Sequence, residues 1–181
     1  MSIAARSPVA PAALSADTVE IRRLAPGDSI EELTALLHRA YAGQVAMGLR
    51  PLAGRQDAAT TRRRCASGEC YVAVLRGALV GTILFHEIED AKGPPWFQRP
   101  EVDSFSQFAV DPAVQGQGIG RLILDHTERR AAGAGARELG LSMAEPDTAL
   151  HDFYLRRGYR FIEHWQWPYT NYRSAILSKM L

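Results

Sequence analysis

Three glycines alternate with other residues in Gln115-Gly116-Gln117-Gly118-Ile119-Gly120, between a strand-like segment and a helix-like segment. A helix start leaves about four backbone N–H groups unpaired and carries a partial positive charge. Glycines in the preceding turn remove the side chains that would keep a phosphate away from those groups. The segment therefore predicts a pyrophosphate cradle, with a plain sharp turn from strand to helix as the alternative.

The glycine segment does not match either of two common phosphate-binding loops. A Walker loop ends in Gly-Lys-Ser/Thr, whereas Gly120 is followed by Arg121. The dinucleotide fingerprint G-x-G-x-x-G lacks its third glycine, because that position holds Arg121 when counted from Gly116 and Ile123 when counted from Gly118.

Two segments instead resemble the signatures of one known family. Residues 111–120, DPAVQGQGIG, resemble the Q/R-x-x-G-x-G/A signature of the GCN5-related N-acetyltransferases. Residues 147–159, DTALHDFYLRRGY, resemble that family's second signature, N-x-x-A-x-x-x-Y-x-x-x-G-F, with Asp147, Leu150 and Tyr159 as departures. The resemblance covers about Thr18 to Leu181.

This resemblance implies acetyl transfer from acetyl-coenzyme A to an amine by direct attack on the thioester. It implies that the glycine turn holds the cofactor pyrophosphate and that backbone groups near Phe108 and Val110 meet the thioester and the pantetheine arm. It assigns the departing thiolate's proton to Tyr154. The residues implied to bind the cofactor are Phe108, Ala109, Val110, Gln115, Gly116, Gln117, Gly118, Ile119, Gly120, Arg121 and Asp147. The carboxylate of Asp147 replaces an amide and puts in question any cofactor hydrogen bond that needs an amide donor.

The general base is not determined by the sequence. The position where some branches of the family carry a glutamate holds Ser104, which cannot act as a base unaided. Asp103, Glu87, His86 and a chain of water molecules all stay open as routes for the proton of the amine. Because the base is missing, a non-catalytic acyl-CoA-binding module is the alternative function. A different acyl donor such as succinyl-CoA, paired with Arg99 or Arg173, is a weaker third hypothesis.

The sequence does not identify the acceptor beyond its class, which we expect to be a small-molecule or peptide amine. Two aromatic segments could form a wall around a small amine: Trp96-Phe97 and Trp165–Tyr169. The alternatives are that they pack onto the core or form the interface of a homodimer. The run Arg62-Arg63-Arg64 is tempting as an anion patch, but consecutive helical residues point in different directions, which favours a solvated helix face.

Composition places the chain among ordinary globular proteins. Its 181 residues predict one domain, with 46% apolar and 23% charged residues and a net charge of +1. We therefore expect no nucleic-acid partner and no membrane partner. Cys65 and Cys70 lack matching ligands, so we expect no metal, two free thiols and a cytoplasmic location.

Hydrophobic periodicity predicts the elements that position these residues. We expect a flexible tail over residues 1–17 and a folded domain over 18–181, with strands and helices in mixed order. Together with the resemblance, this predicts an α/β (α+β) fold: a single mixed, mostly antiparallel sheet of six to seven strands with helices on both faces, the acyl-CoA N-acyltransferase (GNAT) fold. The predicted strands are 18–22, 71–75, 79–88, 102–110, 138–143, 159–165 and 172–177, and the predicted helices are 29–42, 57–65, 119–132 and 146–158.

Overall fold

The computed structural model describes residues 19–88 and 93–181, which form seven strands and four α-helices. The predicted flexible tail over residues 1–17, the predicted start of the domain at Thr18, and Lys92 lie outside the described residues. Lys92 begins the loop over residues 92–100 that the adjacent Pro94 and Pro95 predict in place of regular structure. The strands are β1 Val19–Arg23, β2 Glu69–Leu75, β3 Ala78–His86, β4 Val102–Val110, β5 Glu138–Ala144, β6 Arg160–Trp165 and β7 Ser174–Met180. The helices are α1 Ile30–Ala46, α2 Ala58–Cys65, α3 Ile119–Ala134 and α4 Thr148–Arg156.

The seven strands form one sheet in the order β1-β2-β3-β4-β5-β7-β6. All neighbouring strands run antiparallel except β4 and β5, which pair in parallel. That parallel pairing covers only Val102–Phe105 against Glu138–Leu141, after which the two strands separate. The separation opens the middle of the sheet at the carboxyl ends of β4 and β5. The predicted mixed, mostly antiparallel sheet is confirmed.

Helices cover both faces of the sheet, and strand alternation explains which residues they meet. Tyr71 and Ala73 of β2 belong to the largest apolar cluster, which includes Ile123 of α3 and Tyr154 of α4. The intervening Cys70 and Val72 pack on the opposite face, against Leu33 and Leu36 of α1.

The first two helices begin at side-chain caps that the sequence predicted. The hydroxyl of Ser29 accepts a hydrogen bond from the backbone N–H of Glu32 at 3.1 Å. The carboxylate of Asp57 accepts one from the N–H of Thr60 at 2.7 Å. Such caps satisfy N–H groups that a helix start leaves without partners.

A bulge interrupts β4 where it passes the opening in the sheet. Thr82 pairs with Ala109 and Leu84 with Ser106, so β4 carries one more residue than β3 between these pairs. Gln107 lies inside the bulge with φ = 50°, a left-handed conformation that costs a non-glycine residue about 1–3 kcal/mol. The bulge therefore re-aims the backbone of Phe108, Ala109 and Val110.

Two sequence predictions about the loops were wrong. The adjacent prolines were expected to forbid regular structure, yet Pro95–Gln98 form a short 3₁₀ helix, because a proline at a helix start needs no N–H partner. The last strand begins at Ser174 rather than Tyr172, since the preceding turn continues through the hydrogen bond from the Thr170 hydroxyl to the Tyr172 carbonyl oxygen at 3.1 Å.

Candidate active site

A cleft of about 640 Å³ lies at the carboxyl end of β4, between α1, the start of α3 and the start of α4. Ten of the eleven residues implied to bind a cofactor line it: Phe108, Ala109, Val110, Gln115, Gly116, Gly118, Ile119, Gly120, Arg121 and Asp147. Gln117, the eleventh, does not line it. The two sequence motifs therefore meet at one cleft although a helix and a strand separate them in the chain.

The start of α3 differs from the starts of the other three helices. Its N-cap residue is Gly118, which offers no side-chain hydrogen bond. Within the described part of the chain, the backbone N–H groups of residues 116–121 have no partner, and the first bond of the helix is from the N–H of Leu122 to the carbonyl oxygen of Gly118 at 3.1 Å. Unpaired N–H groups at a helix start form an anion-binding surface.

The glycines keep this surface open. Gly116 and Gly118 have φ values of 76° and 88°, which L-residues rarely adopt, and an added Cβ at either position would meet no atom within 4 Å. At Gly120 an added Cβ would lie 3.3 Å from the ring of Phe108. The first two glycines thus leave the cradle free of side chains, while the third allows close packing against β4.

Two residues of α1 also contribute to the cleft, although the sequence did not indicate them. The Tyr41 hydroxyl donates a hydrogen bond to the carbonyl oxygen of Phe108 at 3.2 Å. The Gln44 side-chain amide donates one to the carboxylate of Asp147 at 2.9 Å. Both bonds connect α1 to the cleft wall, and no local pattern in α1 distinguishes these residues from an ordinary amphipathic helix.

Asp147 caps α4 and does not act as an amide donor. One carboxylate oxygen accepts the backbone N–H of Leu150 at 3.1 Å and the other accepts the Gln44 amide. The departure from asparagine therefore keeps the cap function, because aspartate caps helices as well as asparagine does.

A second cavity of about 140 Å³ adjoins the cleft, and we call it the inner cavity. Its walls include Ser106 and Gln107 of β4, Ser142 of β5 and Arg64 of α2. The cleft and the inner cavity share four lining residues: Tyr41, Gln44, Phe108 and Leu150. A ligand in one cavity would therefore be next to a ligand in the other.

Tyr154 lines the inner cavity rather than the large cleft. Its ring packs among those of Phe105, Phe153 and Tyr159, with centroid distances of 6.2, 5.3 and 5.5 Å. Burial raises the pKa of the Tyr154 hydroxyl well above its usual value. The hydroxyl therefore stays protonated. It has no hydrogen-bond partner in the described residues, so its proton is available for donation.

None of the four side chains considered as the base lines either cavity. Glu87 pairs with Arg130, while Asp103 lies near the start of β4 and accepts the N–H of Ile88 at 3.1 Å. Ser104 is buried in the sheet. His86 lies nearest, with its Nε2 3.3 Å from the hydroxyl of Ser106, a residue of the inner cavity.

The aromatic segments divide between the core and the inner cavity. Phe97 is buried against Val102 and Ile176, and Trp96 packs beside it, so this pair forms no ligand wall. Of the later segment, Trp167 and Tyr169 line the inner cavity, joined by Tyr172. The two arginines considered as partners of a succinyl carboxylate form ion pairs within the protein. Arg99 pairs with Glu101, and Arg173 pairs with Glu145.

The described residues contain no cluster of three or more metal-ligating side chains and no helix suited to crossing a membrane. Cys65 and Cys70 are free thiols.

Comparison with solved structures identifies the fold class as acyl-CoA N-acyltransferase. A GCN5-related N-acetyltransferase from Kribbella flavida is 18% identical with a TM-score of 0.66, covering 92% of this chain and 100% of its own. A GNAT family acetyltransferase from Elizabethkingia anophelis, solved with acetyl-CoA bound, is 18% identical with a TM-score of 0.63, covering 91% and 99%. The protein PH1933 from Pyrococcus horikoshii is 18% identical with a TM-score of 0.69, covering 90% and 98%.

The sequence profile of the acetyltransferase (GNAT) family matches residues 30–159, which include α1, the glycine turn and α4. The chain therefore belongs to the acetyltransferase (GNAT) family. A search of curated proteins found no match.

Proposed function

We propose that this protein transfers an acetyl group from acetyl-CoA to a primary amine, by direct attack of the amine on the thioester. The observation that carries the proposal is the uncapped start of α3, whose unpaired N–H groups open into a cleft that adjoins the inner cavity. One cavity thus suits a phosphate-bearing donor, and its neighbour suits an acceptor.

The residues of the cleft fit coenzyme A in two respects. Residues 116–121 offer backbone N–H groups to a pyrophosphate, Gly116 and Gly118 place no Cβ there, and the side chain of Arg121 adds a positive charge nearby. The walls beyond are largely apolar, with Phe108, Val110 and Phe153, as the pantetheine arm requires. Coenzyme A supplies an acyl group activated as a thioester.

The chain's own residues supply orientation and a proton. The β4 bulge turns the backbone near Phe108 toward the junction of the two cavities, where N–H groups stabilise charge that develops on a carbonyl oxygen. As the amine nitrogen bonds to the acetyl carbon, the carbon–sulfur bond breaks. Tyr154 donates its proton to the departing thiolate, which is the role of a general acid.

Two substitutions at opposite ends of α3 provide a test of the proposal. Gly118 and Gly135 have φ values of 88° and 95°, and an added Cβ at either meets no atom within 4 Å. Gly118→Asp places a carboxylate in the pyrophosphate cradle, so we expect acetyl-CoA binding by calorimetry and thiol release with amines both to be lost.

Gly135→Asp is the matched control, because it imposes similar backbone strain outside the cleft and the inner cavity. We expect it to leave acetyl-CoA affinity within about threefold of wild type, less than 1 kcal/mol. Equal loss in both variants, or binding that survives Gly118→Asp, contradicts the proposal.

The alternative is an acyl-CoA-binding module that does not catalyse transfer. It is favoured by one observation: of the described residues that line the inner cavity, none is a carboxylate or a histidine that would take the amine's proton directly. Tight acetyl-CoA binding without transfer to any amine supports this alternative. The free thiols of Cys65 and Cys70 favour a cytoplasmic location for either function.

A further inference from the structure

Arg64 lies in a different environment from Arg62 and Arg63, the other two arginines of the run in α2. Arg62 and Arg63 are exposed, as a solvated helix face requires. Arg64 is partly buried and lines the inner cavity, beside Tyr169 and Tyr172. The helical rotation between consecutive residues therefore directs one of three similar side chains into the candidate acceptor site.

The guanidinium of Arg64 lacks a counter-ion. Its Nη1 donates a hydrogen bond to the side-chain oxygen of Gln56 at 2.7 Å, and its other N–H groups have no partner among the described residues. No described carboxylate lies within ion-pairing distance, whereas Arg130 and Arg157 each contact two. Burial lowers the pKa of the Arg64 guanidinium below its usual value. A partly buried cation without an anion is costly unless a ligand supplies one.

The Gln56 side chain fixes the position of Arg64. Its amide nitrogen donates to the side-chain oxygen of Gln107 at 2.7 Å and to the hydroxyl of Thr61 at 2.9 Å, so its oxygen is left for Arg64. Gln56, Thr61 and Gln107 are all buried. This network connects Arg64 to the β4 bulge and makes the guanidinium part of a rigid wall.

Arg64 is also the sole charged side chain among the described residues that line the inner cavity. A cationic acceptor such as a polyamine would meet a positive charge there and no negative one. An acceptor with a carboxylate would instead pair with the guanidinium, whose planar fork matches carboxylate geometry.

We propose that the acceptor is a small amino acid whose carboxylate binds Arg64 while its amine faces the junction with the cleft. This inference rests on the proposed acetyl transfer and names the substrate class of its acceptor. Trp167, Tyr169 and Tyr172 form the apolar part of the same cavity and would contact the rest of the molecule.

The pairing also explains how the amine loses its proton without a carboxylate or histidine in the cavity. A free amino acid holds its amine proton tightly because of the neighbouring carboxylate. An α-amino group without that charge has a pKa of about 7.7–8.0. Arg64 neutralises the carboxylate and so lowers the pKa of the amine toward that range, where water suffices as the proton acceptor.

The experiment compares L-amino acids with their carboxamides and their decarboxylated amines in thiol-release assays with acetyl-CoA. We expect the free acids to have the lowest KM. Arg64→Gln should raise that KM about 10- to 100-fold, the range expected for a lost charge-assisted hydrogen bond. The KM for acetyl-CoA should not change. Arg64→Lys, which keeps the charge, should recover part of the affinity, and Arg63→Gln on the exposed face of α2 should have no effect.

Two results would overturn the inference: amides and plain amines used as well as the acids, or Arg64→Gln lowering activity equally with all three. Calorimetry with the N-acetylated amino acids and CoA provides a readout that needs no turnover. Binding that depends on Arg64 supports the inference, and absence of binding to the wild-type protein refutes it. Failure of the proposed function appears separately, as failure of acetyl-CoA itself to bind or as acetyl-CoA binding without transfer to any amine.

Discussion

At the scale of a single residue, the proposed role of Tyr154 as the proton donor can be tested directly. Its hydroxyl has no partner among the described residues, so Tyr154→Phe removes no hydrogen bond that stabilises the fold. We expect the variant to keep its melting temperature and its KM for acetyl-CoA, while kcat falls about 100-fold through loss of general acid catalysis.

Tyr159→Phe is the control for this measurement. Tyr159 is similarly buried but bonds to Glu128 at 3.2 Å and lines neither cavity. We expect unchanged kcat and a small loss of stability. A Tyr154→Phe variant with wild-type kcat shows that the thiolate takes its proton from elsewhere.

Asp103 gives the protein a pH-dependent stability. Burial raises its pKa to about 6, and its second carboxylate oxygen has no partner among the described residues. Because the folded pKa exceeds the unfolded value of about 3.9, the native state binds the extra proton between these values, and stability falls as pH rises through that window.

Asp103→Asn removes this dependence. We expect its free energy of unfolding to exceed that of wild type by about 1 kcal/mol at pH 8, with the difference vanishing below pH 4. Urea unfolding across this pH range measures both. A difference that stays constant with pH contradicts the assignment to Asp103.

At this scale the sequence predicted residues whose placement beside the cavities depends on local pattern. The glycine turn and Tyr154 lie in contiguous motifs, and their positions follow from helix and strand spacing. Tyr41 and Gln44 were not identified, and the preference for a solvated helix face was wrong for Arg64, because their positions depend on contacts between elements far apart in the chain. The same limitation left Asp103 and Glu87 open as bases, although both lie outside the two cavities.

At the scale of an element, the start of α4 depends on a cap that also connects the helix to α1. Asp147 caps the helix and accepts the Gln44 amide from α1. We expect Asp147→Ala to lower the free energy of unfolding by about 1 kcal/mol, the usual value of an N-cap, and Asp147→Asn to cost only a few tenths. Urea unfolding provides the measurement, and Asp152→Ala, at an exposed position in the same helix, is the control.

Hydrophobic periodicity and caps predicted every strand and α-helix of the described residues, most with small shifts in their ends. β4 and the starts of α2 and α3 were placed correctly because a cap or a turn residue marks each one. The strand order and the separation of β4 from β5 depend on long-range pairing, which periodicity does not encode.

At the scale of the whole molecule, the adjoining cavities predict the kinetic mechanism. The cleft and inner cavity share four wall residues, and neither Cys65 nor Cys70 lines them. Without a cysteine nucleophile at the junction, we expect both substrates to be bound together before the acetyl group moves. Initial-rate plots at several acetyl-CoA concentrations should intersect, whereas parallel lines indicate a covalent acetyl-enzyme.

The bulge in β4 also constrains how this gene can change in length. Before Gln107 the odd-numbered Phe105 faces the α3 side of the sheet, whereas after it the even-numbered Phe108 and Val110 do so and Ala109 faces α1. The bulge accounts for the extra residue, so deleting the single codon for Gln107 would leave these three residues on their present faces and restore regular pairing with β3. Such a deletion would remove the change of backbone direction that the bulge gives Phe108, whereas losing a codon from the regular part of β4 would move every later side chain to the opposite face.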